Sequence, residues 1–260
     1  MRLTLRKYLS PHESRGPYER KSVHFQDADL DTRALLMLLR EDPRLAQVLC
    51  IPKWNRPCPN LRACVLFTNA RAVLRGTGNG TLCAPRDLAQ RLRACRPCRS
   101  PCRSPCRSPC RPRHRFAAAN FGVYLGKSTR DGHSNALLFD LHAQVVERFE
   151  PYGRDSLASD RLDAAIEQQL LRLLPGWTYI GTRAAAPLHG AQHRADAFSG
   201  MCVTLSFAYV LLRVLNPDAT PARVQRYLAR GTPAELRSRL LRLNKFMVDV
   251  VSDHGRRTFR

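Results

Sequence analysis

Four side chains that together could perform acyl transfer occur in the second half of the chain, in the order His133, Glu150, Gln192 and Cys202. Glu150 follows His133 by 17 positions, and Gln192 precedes Cys202 by ten. An imidazole, a carboxylate, an amide and a thiol are the groups that cysteine-dependent acyl transfer requires. The thiol would attack, the imidazole would move the proton, and the carboxylate would orient the imidazole. The amide would stabilise the oxyanion that develops during attack.

The thiol of Cys202 stands at the start of an apolar run that continues to Leu215 and is predicted to form a helix. At a helix N-terminus a thiol faces unpaired backbone N–H groups and the positive end of the helix dipole, which favour the thiolate. A cysteine on an apolar helix is more often a packing residue. The assignment of Cys202 therefore depends on the complete set of four residues.

Three strands are predicted between residues 120 and 149, over 120–125, 133–140 and 144–149. The last two would form an antiparallel hairpin, with His133 at the start of one strand and Glu150 just after the end of the other. Antiparallel pairing brings these two ends side by side. The hairpin therefore predicts that the imidazole of His133 lies close to the carboxylate of Glu150.

Helices dominate the chain beyond this hairpin. They are predicted over residues 162–174, 202–215, 221–229 and 233–251. A short strand is predicted over 177–180, and Gln192 falls in a loop predicted over 184–198. Residues 116–260 are therefore expected to form an α+β domain, in which helices flank a central mixed or antiparallel sheet.

The first 115 residues divide into two parts. Residues 1–94 hold a helix predicted over 31–39, strand-like residues in 62–74 and a weakly helical stretch over 87–95, but no fold is predicted for them. Residues 95–115 repeat Arg-Ser-Pro-Cys. Their regularly spaced prolines remove backbone donors and favour extended conformations, so this segment is predicted to be a low-complexity linker.

The cysteines of the linker are candidate metal ligands. A zinc site could take four thiolates from Cys95, Cys98, Cys102 and Cys106. Expansion of a short coding repeat explains the tetrapeptide period more simply. The chain shows no signal peptide and no apolar run long enough to span a bilayer, which favours a soluble intracellular protein without a membrane partner. In a reducing compartment, cysteines are expected to be thiols, metal ligands or a nucleophile rather than disulfides.

The chain is strongly basic. Its net charge is +22, of which +16 lies in residues 1–115 and +6 in residues 116–260. Such a surplus attracts polyanions, and the seven arginines of the linker make it a candidate for nonspecific nucleic-acid binding. The alternative is coding bias, because all but five of the basic residues are arginine.

The order of the four residues, the interval between His133 and Glu150, and the segment Phe149-Glu150-Pro151-Tyr152-Gly153 resemble the adenovirus proteinase (adenain) and SUMO-protease clan of cysteine peptidases. Within this clan, the chain most resembles the homologues encoded by large DNA viruses. The resemblance to these viral homologues rests on three segments: Gly190-Ala191-Gln192, Gly200-Met201-Cys202 and Asn216-Pro217-Asp218. The resemblance covers about residues 118–218 and implies a papain-like-clan core.

The resemblance implies a thiol endopeptidase or ubiquitin-like isopeptidase that cleaves after Gly-containing motifs and needs no cofactor. By this resemblance, His133 is the base, Glu150 the orienting acid, Gln192 the oxyanion donor and Cys202 the nucleophile. The implied substrates are a viral polyprotein or a ubiquitin-like conjugate. The implied locations are the host cytoplasm or nucleus, or the virion.

Two positions depart from the pattern of the clan. Ser134 stands where a tryptophan commonly follows the histidine, and Val203 stands where glycine often follows the nucleophile. These departures leave an alternative function open, in which a basic nucleic-acid-binding or packaging protein carries an inactive protease-like domain.

Other acids and histidines near the four residues are less favoured for catalysis. Strand alternation places Glu147 on the face away from His133, and Asp140 falls towards the far end of its strand. His189 and His193 belong to the predicted loop, which would hold a base poorly. Both are expected to be solvated.

Overall fold

The protein is described here by a computed structural model, over residues 5, 8–11, 30–50, 69–71, 81–83, 87–95, 114–124, 132–156, 159–195 and 201–258. Most of the predicted linker, including Cys98, Cys102 and Cys106, lies outside these residues.

Within the described residues, seven strands form one mixed sheet in the order β3-β2-β4-β5-β6-β7, with β1 also paired to β4. The strands are β1 (Leu49–Cys50), β2 (Asn69–Arg71), β3 (Thr81–Cys83), β4 (Phe116–Tyr124), β5 (Gly132–Asp140), β6 (Val145–Phe149) and β7 (Thr178–Ile180). Pairing is antiparallel for β2 with β3, β4 with β5 and β5 with β6. It is parallel for β1 and β2 with β4, and for β6 with β7.

The helices flank this sheet. They are α1 (Leu30–Glu41), α2 (Pro43–Val48), α3 (Leu88–Ala94), α4 (Ser159–Leu173), α5 (Thr182–Ala185), α6 (Ala191–Arg194), α7 (Met201–Leu215), α8 (Pro221–Leu228) and α9 (Pro233–Thr258). The structure confirms the predicted α+β class, with a mixed central sheet between helices.

The central strands separate two apolar clusters because successive side chains of a strand point to opposite faces. On β5, Ala136 and Leu138 join the cluster formed with α1, α7 and α9. Leu137 and Phe139 join the cluster formed with α3 and α4 on the other face. Every residue of β5 from His133 to Asp140 is buried, as expected for a strand in the middle of a sheet.

The hairpin of β5 and β6 confirms the prediction within one residue at each strand. Its turn is closed by the carboxylate of Asp140, whose Oδ1 accepts from the backbone N–H groups of His142 and Ala143, each at 3.0 Å. Gln144 completes the turn with a φ of 57°. Ala136 pairs with Phe149, so the start of β5 and the end of β6 meet at one edge of the hairpin.

Helix α7 is apolar around its whole circumference and is buried from Met201 to Val214. Its polar exceptions are paired, because Arg213 and Tyr209 both donate to the buried carboxylate of Glu147 on β6, at 2.5 and 2.7 Å. This contact fixes α7 across the sheet. The predicted helix over 202–215 is confirmed, as are those over 162–174, 221–229 and 233–251, with shifted ends.

Elements from before the linker contribute to the same sheet and core. Strands β1 and β2 pair with the two ends of β4. Helix α1 packs against α7 and α9 through apolar side chains that include Ala34, Leu35 and Leu38. Among the described helices, none combines the length and the apolar character needed to cross a bilayer.

Two expectations from the sequence are wrong. The loop predicted over 184–198 contains the end of α5 and the whole of α6, both four residues long and too short to show a helical period. Cys50 and Cys95 are not thiols but form a disulfide, since the folded chain brings their Cα atoms to 5.8 Å. The bond ties β1 to the end of α3.

Candidate active site

The structure brings His133 and Glu150 together, as the predicted hairpin requires. His133 is the second residue of β5, and Glu150 directly follows β6. The ring nitrogen Nε2 of His133 lies 2.5 Å from Oε1 of Glu150, and both side chains are buried. Two residues that are 17 positions apart therefore form one buried acid–imidazole pair.

The carboxylate of Glu150 is held by three donors. Besides His133, its Oε1 accepts from the backbone N–H of Tyr152 at 3.0 Å, and its Oε2 accepts from Nη2 of Arg148 at 3.0 Å. Burial alone would raise the pKa of Glu150, but His133, Arg148 and the Tyr152 N–H together hold the pKa below its ordinary value. Glu150 is therefore a fixed, ionised acceptor for the imidazole.

Arg148 is a buried cation that supports this arrangement. Its Nε donates to Oδ1 of Asn135 at 2.8 Å, and its Nη1 donates to Oδ1 of Asp163 at 2.9 Å. The carboxylate of Asp163 also accepts from the backbone N–H of Thr182 at 2.7 Å and from the hydroxyl of Tyr179 at 2.5 Å. The charges beneath Glu150 are thus paired and hydrogen-bonded.

Cys202 supplies a thiol to the same pair. It is a free cysteine at the second residue of α7, and 7% of it is exposed. The thiol is close enough to the imidazole of His133 to help raise the pKa of that ring, as the carboxylate of Glu150 does. Because Nε2 of His133 is engaged by Glu150, Nδ1 is the ring nitrogen that remains for the sulfur.

The protonation of His133 follows from these neighbours. Burial by itself lowers the pKa of His133, but the negative charge of Glu150 and hydrogen bonds to Cys202 and Glu150 outweigh it and raise the pKa to about 10. The imidazole is therefore protonated at neutral pH, between a carboxylate and a thiol. This is the arrangement that stabilises a thiolate–imidazolium pair.

Gln192 lies in a helix rather than in a loop, and its side chain contacts Tyr152, which follows Glu150 by two residues. It is the second residue of α6, and only 2% of it is exposed. Its Nε2 donates to the hydroxyl of Tyr152 at 3.2 Å, whereas its Oε1 is buried without a partner among the described residues. The ring of Tyr152 in turn lies 5.0 Å from that of His133.

Backbone hydrogen bonds fix the position of α6 against the turn after Glu150. Gly190 N–H donates to Tyr152 O at 2.7 Å, and Gln192 N–H donates to Pro151 O at 3.0 Å. Gly190 permits this approach because a Cβ at that position would overlap the carbonyl oxygen of Pro151. Gly153 closes the turn with a φ of +93°, which glycine adopts readily.

Substituting Gly190 by Ala is expected to lower the free energy of unfolding by about 3 kcal/mol, because backbone atoms cannot move aside as a flexible side chain does. Its own φ of −75° suits alanine, so the cost is steric. Gly176→Ala is the matched control, with a φ of +82° but nothing within 4 Å of the added Cβ. That variant should lose only about 1 kcal/mol. Urea unfolding measures both, and equal losses would contradict the steric role of Gly190.

The competing acids lie where the sequence placed them, whereas His193 lies in α6 and not in the predicted loop. Glu147 points towards α7 and pairs with Arg213, and Asp140 closes the turn and contacts Arg115 at 3.1 Å. His189 and His193 are exposed and stack on each other, with ring centroids 4.4 Å apart.

Three functional neighbours of the site were not singled out from the sequence. Arg148 lies two residues before Glu150 and Tyr152 two residues after it. Strand alternation could have placed Arg148 on the same face as Glu150. Nothing local marks Asp163, which reaches Arg148 from α4.

The metal site suggested for the linker is not supported at Cys95, since this residue is bonded to Cys50 and has no free thiolate. The other three cysteines of that set, Cys98, Cys102 and Cys106, lie outside the described residues. In the part of the chain that is described, no group of three or more His, Cys, Asp or Glu side chains could hold a metal ion.

No family model matches the chain, and no curated protein does. Solved structures similar to it include the following two. One is the effector protein ChlaDUB1 of Chlamydia trachomatis, with 10% identity over 94% of this chain and 76% of that chain and a TM-score of 0.41. The second, also of ChlaDub1 from Chlamydia trachomatis, has 13% identity over 94% of this chain and 96% of that chain and a TM-score of 0.40. Similarity at this level does not bear on function, for which the geometry of the site is the basis.

Proposed function

We propose that the chain is a cysteine peptidase whose active site consists of Cys202, His133, Glu150 and Gln192. One observation carries the proposal: the buried imidazole of His133 is hydrogen-bonded to the carboxylate of Glu150, and the thiol of Cys202 is near enough to interact with the same ring. A cysteine that only packs a helix needs no protonated imidazole beside it. The pairing of all three groups is the arrangement that thiol-dependent acyl transfer uses.

The reaction would proceed in two stages. The thiolate of Cys202 attacks the carbonyl carbon of the scissile bond, and the electrons of the carbonyl move to its oxygen. Gln192 Nε2 and the backbone N–H of Cys202 would donate to this oxyanion. When it collapses, the C–N bond breaks, and His133 gives its proton to the departing amine. Water, deprotonated by His133, then releases the acid from the thioester.

The burial of the site favours substrates that have small residues next to the scissile bond. His133 is 9% exposed, Cys202 7% and Gln192 2%, so little of the three side chains is open to solvent. Glycine has no side chain to clash there. We therefore propose Gly-containing cleavage motifs, in a polyprotein or at the C-terminus of a ubiquitin-like modifier, in line with the resemblance in sequence.

A second candidate function is favoured by a different observation, the net charge of +22. A nucleic-acid-binding or packaging protein would use this charge on phosphates, with the protease-like domain as scaffold. The two functions predict different outcomes at the thiol. A scaffold requires no reaction at Cys202, whereas a peptidase requires a covalent one.

The experiment is labelling with ubiquitin or SUMO whose C-terminal glycine carries an electrophile, followed by mass spectrometry of the adduct. We expect one adduct on Cys202, formed by the wild type and absent from Cys202→Ser, which retains a small polar side chain. The other nine cysteines of the chain are the internal control for nonspecific reaction. Labelling that persists in Cys202→Ser, or cleavage of a Gly-Gly peptide that persists in Cys202→Ala, would overturn the peptidase assignment.

A further inference from the structure

Tyr152 connects the oxyanion donor to the acid–imidazole pair. Its hydroxyl accepts the hydrogen bond from Gln192 Nε2 at 3.2 Å, and its backbone N–H donates to Glu150 Oε1 at 3.0 Å. Its ring lies against that of His133, with centroids 5.0 Å apart and planes tilted by 42°. One residue therefore contacts three of the four groups proposed for catalysis.

The fourth group, Cys202, influences this tyrosine electrostatically. Burial, followed by the negative charges of Cys202 and Glu150, raises the pKa of Tyr152 above its ordinary value. The hydroxyl is therefore neutral at working pH. Tyr152 therefore links the amide of Gln192 to Glu150 and His133.

The carboxamide of Gln192 has little else to orient it. Its Oε1 is buried and has no partner among the described residues, so the hydrogen bond from Nε2 to Tyr152 orients this side chain. A primary amide carries two N–H donors on one nitrogen. When one of them is fixed on the tyrosine hydroxyl, the direction of the other is fixed as well.

We propose that Tyr152 is a positioning residue of the oxyanion hole, whose hydroxyl holds one N–H of Gln192 so that the other points at the developing oxyanion. This inference rests on the proposed function, since it assigns a role within the same site. It also distinguishes Tyr152 from a residue that only packs against His133. A packing role needs the ring, whereas a positioning role needs the hydroxyl.

The test compares two reactions of the Cys202 thiolate in Tyr152→Phe, which keeps the ring and the backbone contacts. With p-nitrophenyl acetate, the C–S bond forms through a tetrahedral oxyanion, and the C–O bond then breaks to release p-nitrophenolate. With iodoacetamide, the C–S bond forms as the C–I bond breaks and iodide leaves, without an oxyanion at any stage. Mass spectrometry of the Cys202 peptide follows both rates and excludes the other cysteines.

We expect Tyr152→Phe to slow acylation about tenfold, the effect of one lost hydrogen bond to a developing charge, and to leave alkylation unchanged. In a Gln192→Ala background the same substitution should have no effect on acylation, because the group that it positions is gone. Equal slowing of both reactions would show a role in the thiol or in folding and would overturn the proposal. So would an unchanged acylation rate, or the same tenfold loss without Gln192.

These outcomes are separate from those that test the peptidase itself. Acylation by a small ester needs no peptide substrate, so the comparison holds even for a chain that cleaves no peptide. Failure of the proposed function would show as peptide cleavage that survives Cys202→Ala. Failure of the present inference would show as an acylation-to-alkylation ratio that Tyr152→Phe does not change.

Discussion

Substitution of His133 by alanine is expected to lower kcat/KM for peptide hydrolysis by roughly 10³- to 10⁴-fold, the loss typical of removing a general base and acid. The imidazole is hydrogen-bonded to Glu150 and interacts with the thiol of Cys202, so its removal separates the thiol from the acid. His189→Ala is the matched control, because the side chain of His189 is 45% exposed and contacts Asp155 and His193 instead. The control should stay within about twofold of the wild type, as expected for a surface site. A His133→Ala variant with near-normal turnover would refute the mechanism.

The pH dependence of turnover offers a second measure of the same residue. Because the pKa of His133 is raised to about 10, the imidazole keeps the proton for the leaving amine throughout the neutral range. Turnover of the wild type should therefore fall only as the pH rises through about 10. A decline with a midpoint near 6.5, the ordinary value for histidine, would show that His133 does not sit in this electrostatic environment.

The free energy of unfolding should also depend on pH through the protonation of His133. Below the pKa of an unfolded histidine, near 6.5, both states are protonated and the stabilising contribution of His133 is complete. As the pH rises towards the folded pKa of about 10, this contribution is lost. Glu150 acts in the opposite direction, because its pKa is lowered from 4.5: its contribution is present above that value and is lost as the pH falls.

The sequence predicts the acid–imidazole pair well because the information is local. Two strands joined by a tight turn leave one geometry for their free ends, so an interval in sequence becomes a distance in space. His133 and Glu150 meet for that reason. The long apolar run that starts at Cys202 likewise predicts a buried helix, since a helix that is apolar on all sides must be buried.

The remainder depends on contacts between distant parts of the chain. Strands β1, β2 and β3 have two or three residues each and carry no period, and two of them pair with β4 in parallel. The helix that carries Gln192 is held by backbone bonds to the turn at Pro151 and Tyr152, which no local pattern reveals. Likewise, the Cys50–Cys95 disulfide joins residues 45 positions apart. Such features become visible only in the folded chain.

The buried cation beneath Glu150 leads to the largest expected effect on stability. Arg148→Met should lower the free energy of unfolding by about 3–5 kcal/mol, because the carboxylates of Glu150 and Asp163 would lose their shared guanidinium inside the protein. Methionine preserves much of the apolar length of the side chain, so the loss reports mainly charge. Arg154→Met, at an exposed position, is the control and should change the stability by about 0.5 kcal/mol or less.

The pH dependence separates this electrostatic loss from a packing defect. In the wild type, Arg148 is one of the groups that hold the pKa of Glu150 below its ordinary value. Without the guanidinium, ionisation of that buried carboxyl becomes less favourable, so the deficit of Arg148→Met should be larger at pH 7 than at about pH 4.5. Urea unfolding at the two pH values measures the difference. A deficit of the same size at both would mean that Arg148 fills space beneath the site without controlling the charge of Glu150, since a cavity costs the same whatever the protonation of its neighbours.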